Sequence, residues 1–328
     1  LNSLLRVYAS GLESGEIVYG GYAILNYCMH SFFVGESLEL LEQKHRHYID
    51  ELKKQRLDYH VVYGQISRQI ILNLLGQVEE PVLLMGDAFN EEEMLPILTE
   101  QKNGTTLFFV YLAKAMLHYL FEQPELAIAF SQTAESYVES VSGLLISAQC
   151  NFYQSLALLA HYPQAEASQQ SLYLEKVASN QQKMQQWAYH APMNFQHKYD
   201  LIEAEKARVL GDKFAAIDNY DLAIKSAAAH NYLHEEALAY ELAGKFYHFL
   251  NKEIIAQAYL TKAYYAYIRW GAIAKVKALE LNYPFLIAQT CSVEPQKFDA
   301  KTTTATTKTN SRFGDFLDLT TFVKSSQA

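Results

Sequence analysis

The sequence predicts an all-α fold, a right-handed α-α superhelix (solenoid) of stacked helical hairpins. Three observations predict it. The spacing Ala-x₁₁-Ala-x₆-Ala occurs at Ala115, Ala127 and Ala134 and at Ala204, Ala216 and Ala223, and recurs with glycine first at Gly244, Ala256 and Ala263. Small residues at these offsets let two antiparallel helices approach closely, and recurrence with the last copy 40 residues after the second marks stacked hairpins. Half of the residues are hydrophobic, while only 7 prolines and 14 glycines interrupt 328 residues, which suits long helices with a large core. Apolar residues also recur at helical spacing along most of the chain.

Residues 17–33 read as a buried helix, and Leu38, Leu41, Tyr48, Ile49 and Leu52 mark the next. A helix over 57–75 stops at Gly76, a suitable C-terminal cap. Residues 77–104 are less regular, with Pro81, Gly86, Pro96 and Gly104 and a short helix over 91–99, so 1–104 form irregular N-terminal repeats. The repeats over 105–290 are clearer. A helix over 107–121 is followed by one opened by Pro124, which is tolerated in a first turn. Further helices end near Pro163 and break at Pro192; two hairpins follow, and a final helix ends near Pro284. The Thr-rich stretch at 291–314 is too polar to bury a core and reads as a linker. Amphipathic spacing resumes at 315–328 with Phe316, Leu319 and Val323.

The net charge of −9 is unlike the basic face of a nucleic-acid binder, so no nucleic-acid partner is expected. The short basic run Lys44-His45-Arg46-His47, beside Glu42 and Asp50, reads as a solvated helix face. Cys28, Cys150 and Cys291 are isolated and form no CxxC, against a zinc site or disulfide framework. No apolar run reaches the ~18 residues of a membrane span, and no secretory leader is recognisable. A cytoplasmic setting is expected, as is, from the opening at Leu1, a piece excised from a longer protein.

Candidate sites are sparse. His230 and His234 stand four apart, but HEEALAYE is not HExxH and no third ligand is evident. Glu203 and Glu205 fall on different helix faces, and the cysteines sit among aromatic and aliphatic residues as inert thiols. The most unusual cluster is Trp187, Asn194, His197 and Lys198 around Pro192. Asn194 reads as an N-cap and Trp187 as a packing anchor, with ligand contacts the other reading. Trp270 and Lys275, with Arg269, are packing or docking residues, and Trp270 is expected to cap the apolar edge of the last hairpin. No catalytic residue, metal ligand or cofactor is assigned.

AIDNYDLAI (216–224) and AQAYLTKA (256–263) are similar to the second helix of tetratricopeptide repeats, although the opening Trp and closing Pro of that repeat are absent. MQQWAYHAPMNFQHKYDLIEAEKARVLGD, EEALAYELAGKFY and AYYAYIRWGAIAKVKALELNYP resemble the helical-repeat region of large multi-domain signalling kinases, mainly cyanobacterial and bacterial. Such proteins carry a serine/threonine kinase, a STAND-like ATPase, the helical region, a GAF sensor and a histidine kinase. LDLTTFVKSSQA is similar to the helix leading into the GAF domain. The resemblance implies a non-catalytic scaffold that couples the ATPase to sensor and kinase output, with its own flanking domains or a separate protein as partner. This chain has no GxxxxGK loop, HRD or DFG, so kinase activity belongs to the parent protein. Two other readings stand beside it: a hydrolase or transferase hidden in the helices, and a small-ligand sensor lined by tyrosines in the concave groove.

Overall fold

Short polar turns and apolar stripes divide the chain into helices that pack against their sequence neighbours. The computed structural model describes residues 1–287. Cys291, the Thr-rich stretch and the 315–328 segment lie outside them. The helices are α1 (Asn2–Ser14), α2 (Ile17–Phe33), α3 (Leu38–Lys54), α4 (Asp58–Leu74), α5 (Glu91–Glu100), α6 (Gly104–Leu120) and α7 (Pro124–Glu135). They continue as α8 (Leu145–His161), α9 (Ala167–His190), α10 (Pro192–Leu210), α11 (Lys213–Ala229), α12 (Leu233–Phe249), α13 (Glu253–Trp270) and α14 (Ile273–Asn282). The described residues contain no strand, only an isolated bridge between Met85 and Asn90.

Turn chemistry sets several boundaries. Gly76 adopts φ 73° after α4, and the amide of Gln77 donates to the Leu72 carbonyl at 3.0 Å, which closes the helix end. Asn90 and Asp212 each accept a backbone amide from the first turn of the following helix. Pro192 opens α10 one residue after α9 ends. Asn194 does not cap this helix. It lies inside the first turn, where its Oδ1 accepts a hydrogen bond from the Tyr232 hydroxyl at 3.0 Å, and Ala191 occupies the cap position.

The small residues of the repeated spacing lie at helix contacts. Ala115, Ala127, Ala134, Ala204, Ala216, Ala223, Ala256 and Ala263 are all buried. A Cβ on Gly244 would stand 2.7 Å from Leu260 Cγ, so α12 and α13 approach at a distance that leaves no room for one. α12 pairs with α13, α10 with α11, α6 with α7, and α3 with α4. The even-numbered helices also meet in succession, α4 on α6, α6 on α8, α8 on α10 and α10 on α12. Contacts therefore run across residue 104.

The last helices return to the first ones. The Phe32 and Trp270 rings lie 6.0 Å apart, and a Cβ on Gly35 would fall 2.7 Å from His234 Nδ1. Gly76 stands against Ala274, and Gly271 against Leu38. The C-terminal ends of α2 and α4 thus rest on the N-terminal ends of α12 and α14. Trp270, expected to cap the apolar edge of the last hairpin, is buried at this junction, where its ring meets Phe32 of α2.

Candidate functional site

The inner faces of α10 and α12 carry acids among alanines and leucines, and α14 adds a lysine. Folding brings these charges together away from water. Lys198 on α10 donates to both carboxylate oxygens of Glu235 on α12, at 2.5 Å to Oε1. His197 Nε2 faces the same carboxylate. The Lys198 ammonium also lies 4.9 Å from the centre of the Tyr232 ring and 5.4 Å from that of Phe152. Burial opposes ionisation of Glu235, but Lys198, His197 and His234 outweigh it and hold its pKa well below the carboxylate range. The His197 pKa also falls, to about 4, because burial and the neighbouring ammonium both disfavour its charged form.

Six residues further along α12, Glu241 accepts from Lys245 at 2.6 Å, from Lys275 at 2.9 Å and from the Tyr267 hydroxyl at 2.8 Å. Lys275 also donates to the Leu120 carbonyl at 2.5 Å, so α14 is fastened to the end of α6 across 155 residues of sequence. Lys245 reaches Glu122, in the turn after α6, at 2.8 Å. Burial again works against the carboxylate, yet the two lysines bring the Glu241 pKa down to about 2. A third group joins Glu205 to Arg208 at 2.7 Å and to the Tyr220 hydroxyl, and Arg208 reaches the Leu159 carbonyl at 3.3 Å.

Of the residues singled out from the sequence, His197, Lys198 and Asn194 gather around Glu235 and Tyr232. Lys275 and Trp270 belong to the α12–α14 contacts. Trp187 is separate. It packs 6.0 Å from Phe195 and lines a cleft of about 320 Å³ with Phe108, Glu135, Asn151, Gln154 and Asn180. Glu235 and Glu241 were missed as ion-pair partners, and Glu205 was weighed only as a possible pair with Glu203, although an acid on a stripe of buried alanines is a readable signal of an internal ion pair. Tyr119, Tyr153, Tyr220 and Tyr267 are 1–7% exposed and packed inside, while Tyr22, Tyr59 and Tyr63 line a cleft of about 240 Å³.

The basic run on α3 also departs from expectation. His45 is buried, not solvated: its Nδ1 donates to the Leu41 carbonyl at 2.8 Å and its Nε2 accepts from Ser67 at 2.9 Å. Burial brings its pKa down to about 4. His230 ends α11 while His234 lies in the first turn of α12, 5.1 Å from Trp270, so the two do not share a helix face. Cys28 and Cys150 are buried, and desolvation pushes both thiols up to about 12.

The arrangement fixes helices relative to one another through fully paired carboxylates. Removing either partner leaves a charge stranded in an apolar interior, which is a costly state. Among the described residues no helix is long and apolar enough to cross a membrane.

Comparison with known proteins is limited in extent. A stretch of 61 residues, 19% of the chain, is 39% identical to the Hybrid signal transduction histidine kinase G of Dictyostelium discoideum. The matched stretch spans 2% of that protein's length. No family model matches the chain, and no solved structure matches it.

Proposed function

We propose that this chain is a helical-repeat scaffold within a multi-domain signal-transduction kinase. On this reading it forms a right-handed, tetratricopeptide-like superhelix in the cytoplasm and couples an ATPase switch to sensor and kinase output. It acts through contacts with flanking domains or a partner protein, and carries no catalytic group, metal or cofactor of its own. The observation that carries the reading is the similarity to a signal transduction histidine kinase over 61 residues. Two structural features support it. The buried carboxylates of Glu205, Glu235 and Glu241 are each paired with a cation inside the helix stack. The last helices rest on the first, so displacement at one end is carried to the other through direct contacts.

The mechanism is positional. A scaffold biases an equilibrium between arrangements of its neighbours only by contacting one arrangement better than another. The test uses the purified chain as bait for the separately purified domains that adjoin it in the parent protein, with a parallel assay of ATP turnover by the chain alone. The expected result is saturable binding to a neighbouring domain and no turnover. Reproducible phosphate release by the chain, abolished by one substitution within it, would overturn the reading.

A further inference from the structure

The two edges of the last hairpins are treated differently. The N-terminal ends of α12 and α14 are covered by α2 and α4. At the opposite edge, the turn from α10 to α11 and the turn from α12 to α13 present large apolar side chains to solvent. Phe214 is 83% exposed, Phe249 73%, Ile254 87% and Leu210 55%. The two turns are neighbours. Tyr220 of α11 and Phe246 of α12 are 5.6 Å apart, so Phe249, at the end of α12, falls beside the first turns of α11, which carry Phe214. Scattered exposed apolar residues are ordinary, but a contiguous group at this level of exposure marks an interaction surface.

The charges on the same turns indicate what covers it. Asp212 and Lys213 stand beside Phe214, and Lys252 and Glu253 stand just before Ile254, all exposed. Neither Lys213 nor Lys252 makes an ion pair among the described residues. Each turn therefore carries one free base next to its apolar residues, beside an exposed acid that already has a partner in its own chain, Asp212 on the Ala215 amide and Glu253 on His248. The geometry points to a second copy of this chain as the occupant, stacked edge to edge about a two-fold axis. That operation places the α10–α11 turn of one copy over the α12–α13 turn of the other, with Lys213 over the partner copy's acid at the second turn and Lys252 over the acid at the first. A two-fold contact of this kind is self-complementary by construction. With Ile255 included, the apolar side chains of the patch expose on the order of 600 Å² per copy, close to the ~800 Å² per partner of a standard specific interface.

The experiment is sedimentation equilibrium of the full chain from micromolar to hundreds of micromolar concentration. The expected result is a reversible monomer–dimer equilibrium. Phe249→Asp and Ile254→Asp, both at exposed positions, should each raise the dissociation constant by about thirtyfold while leaving helix content unchanged. Lys213→Glu should weaken the dimer, and adding Glu253→Lys to it should restore association, which general stickiness would not do. A monomer at every concentration would assign the apolar turns to another occupant and end the inference. A dimer indifferent to both apolar substitutions, or a charge exchange that fails to rescue, would also overturn it.

Discussion

α3 and α4 are sealed in a different way from α10 to α14. In the first pair the buried polar groups are neutral apart from Glu42, as with His45 on Ser67, and Glu42 is shared between Arg68 of α4 and Arg46, whose side chain is 63% exposed. In the second region the carboxylates of Glu205, Glu235 and Glu241 are 1–3% exposed and meet cations inside the stack. Both regions are helical hairpins with small residues at the contacts. The difference teaches that one architecture can be held by shape, where losses are graded, or by paired charge, where loss of one partner strands the other.

The sharpest way to break this comparison is at Glu241. Glu241→Ala leaves Lys275 buried beside Lys245 without a counter-charge and deprives Tyr267 of its acceptor. The expected destabilisation is about 3–5 kcal/mol in denaturant unfolding. Combining Glu241→Leu with Lys275→Met removes both charges and should cost less than Glu241→Ala alone. A double variant that costs as much as the sum of its parts would show that packing volume, not stranded charge, sets the loss.

Trp270 tests the junction between the two regions. Its ring lies against Phe32 from the first region and His234 from the second. Trp270→Ala should cost about 3–5 kcal/mol, at or just below the Glu241 effect, because a buried aromatic leaves a cavity when truncated. A double-mutant cycle with Phe32→Ala should give a coupling of about 1 kcal/mol. Strict additivity of the two would show that the last helices do not stabilise the first through this contact.

These residues also mark how far the sequence was legible. The contacts between neighbouring helices were readable, because Ala204, Ala216 and Ala223 report a face and helix ends follow Gly76 and Pro192. What covers a face was not readable. Lys275 was singled out, but its partners Glu241 and Leu120 lie 34 and 155 residues away, and no local periodicity encodes such a pairing. Asn194 failed as a cap for a similar reason. Pro192 had already fixed the first turn, and the amide was free to meet Tyr232 on another hairpin. His45 looked solvated because its sequence neighbours are, whereas its own position faces α4.

Acid should separate the two regions in a smaller but graded way. His45 has a folded pKa of about 4 against an ordinary 6.5, so the unfolded chain takes up a proton first as pH falls. Its contribution is whole above pH 6.5 and is lost between 6.5 and 4, by about 3 kcal/mol. His197 gives the second region a loss of the same sign in the same window. Glu241, with its pKa brought from 4.5 to about 2, contributes above 4.5 and loses that contribution as pH falls toward 2. Amide exchange should therefore show both regions weakening down to pH 4 and, below it, α12 to α14 weakening more than α3, where Glu42 is also held below its ordinary value but with one of its two partners open to water. Protection in α12 to α14 that stays level from pH 4.5 to 2.5 would mean that Glu241 is not the charged hub of this region.

The smallest expected effect lies at Arg46. Its guanidinium donates to Glu42 Oε1 at 2.8 Å, which on distance alone matches Lys275 on Glu241. The surroundings differ. Arg68 from α4 donates to the same oxygen at 2.8 Å, and water reaches the Arg46 side of the pair. Truncating Arg46 leaves Glu42 paired and strands no charge, because an exposed ion pair exchanges for hydration at little net loss. Arg46→Ala should leave the denaturation midpoint unchanged within error, while Arg68→Ala, at an inner position, should lower stability by about 1 kcal/mol. If Arg46→Ala proved as costly as Glu241→Ala, charge would hold α3 and α4 as it holds α10 to α14, and the distinction between sealing by shape and sealing by charge would fail.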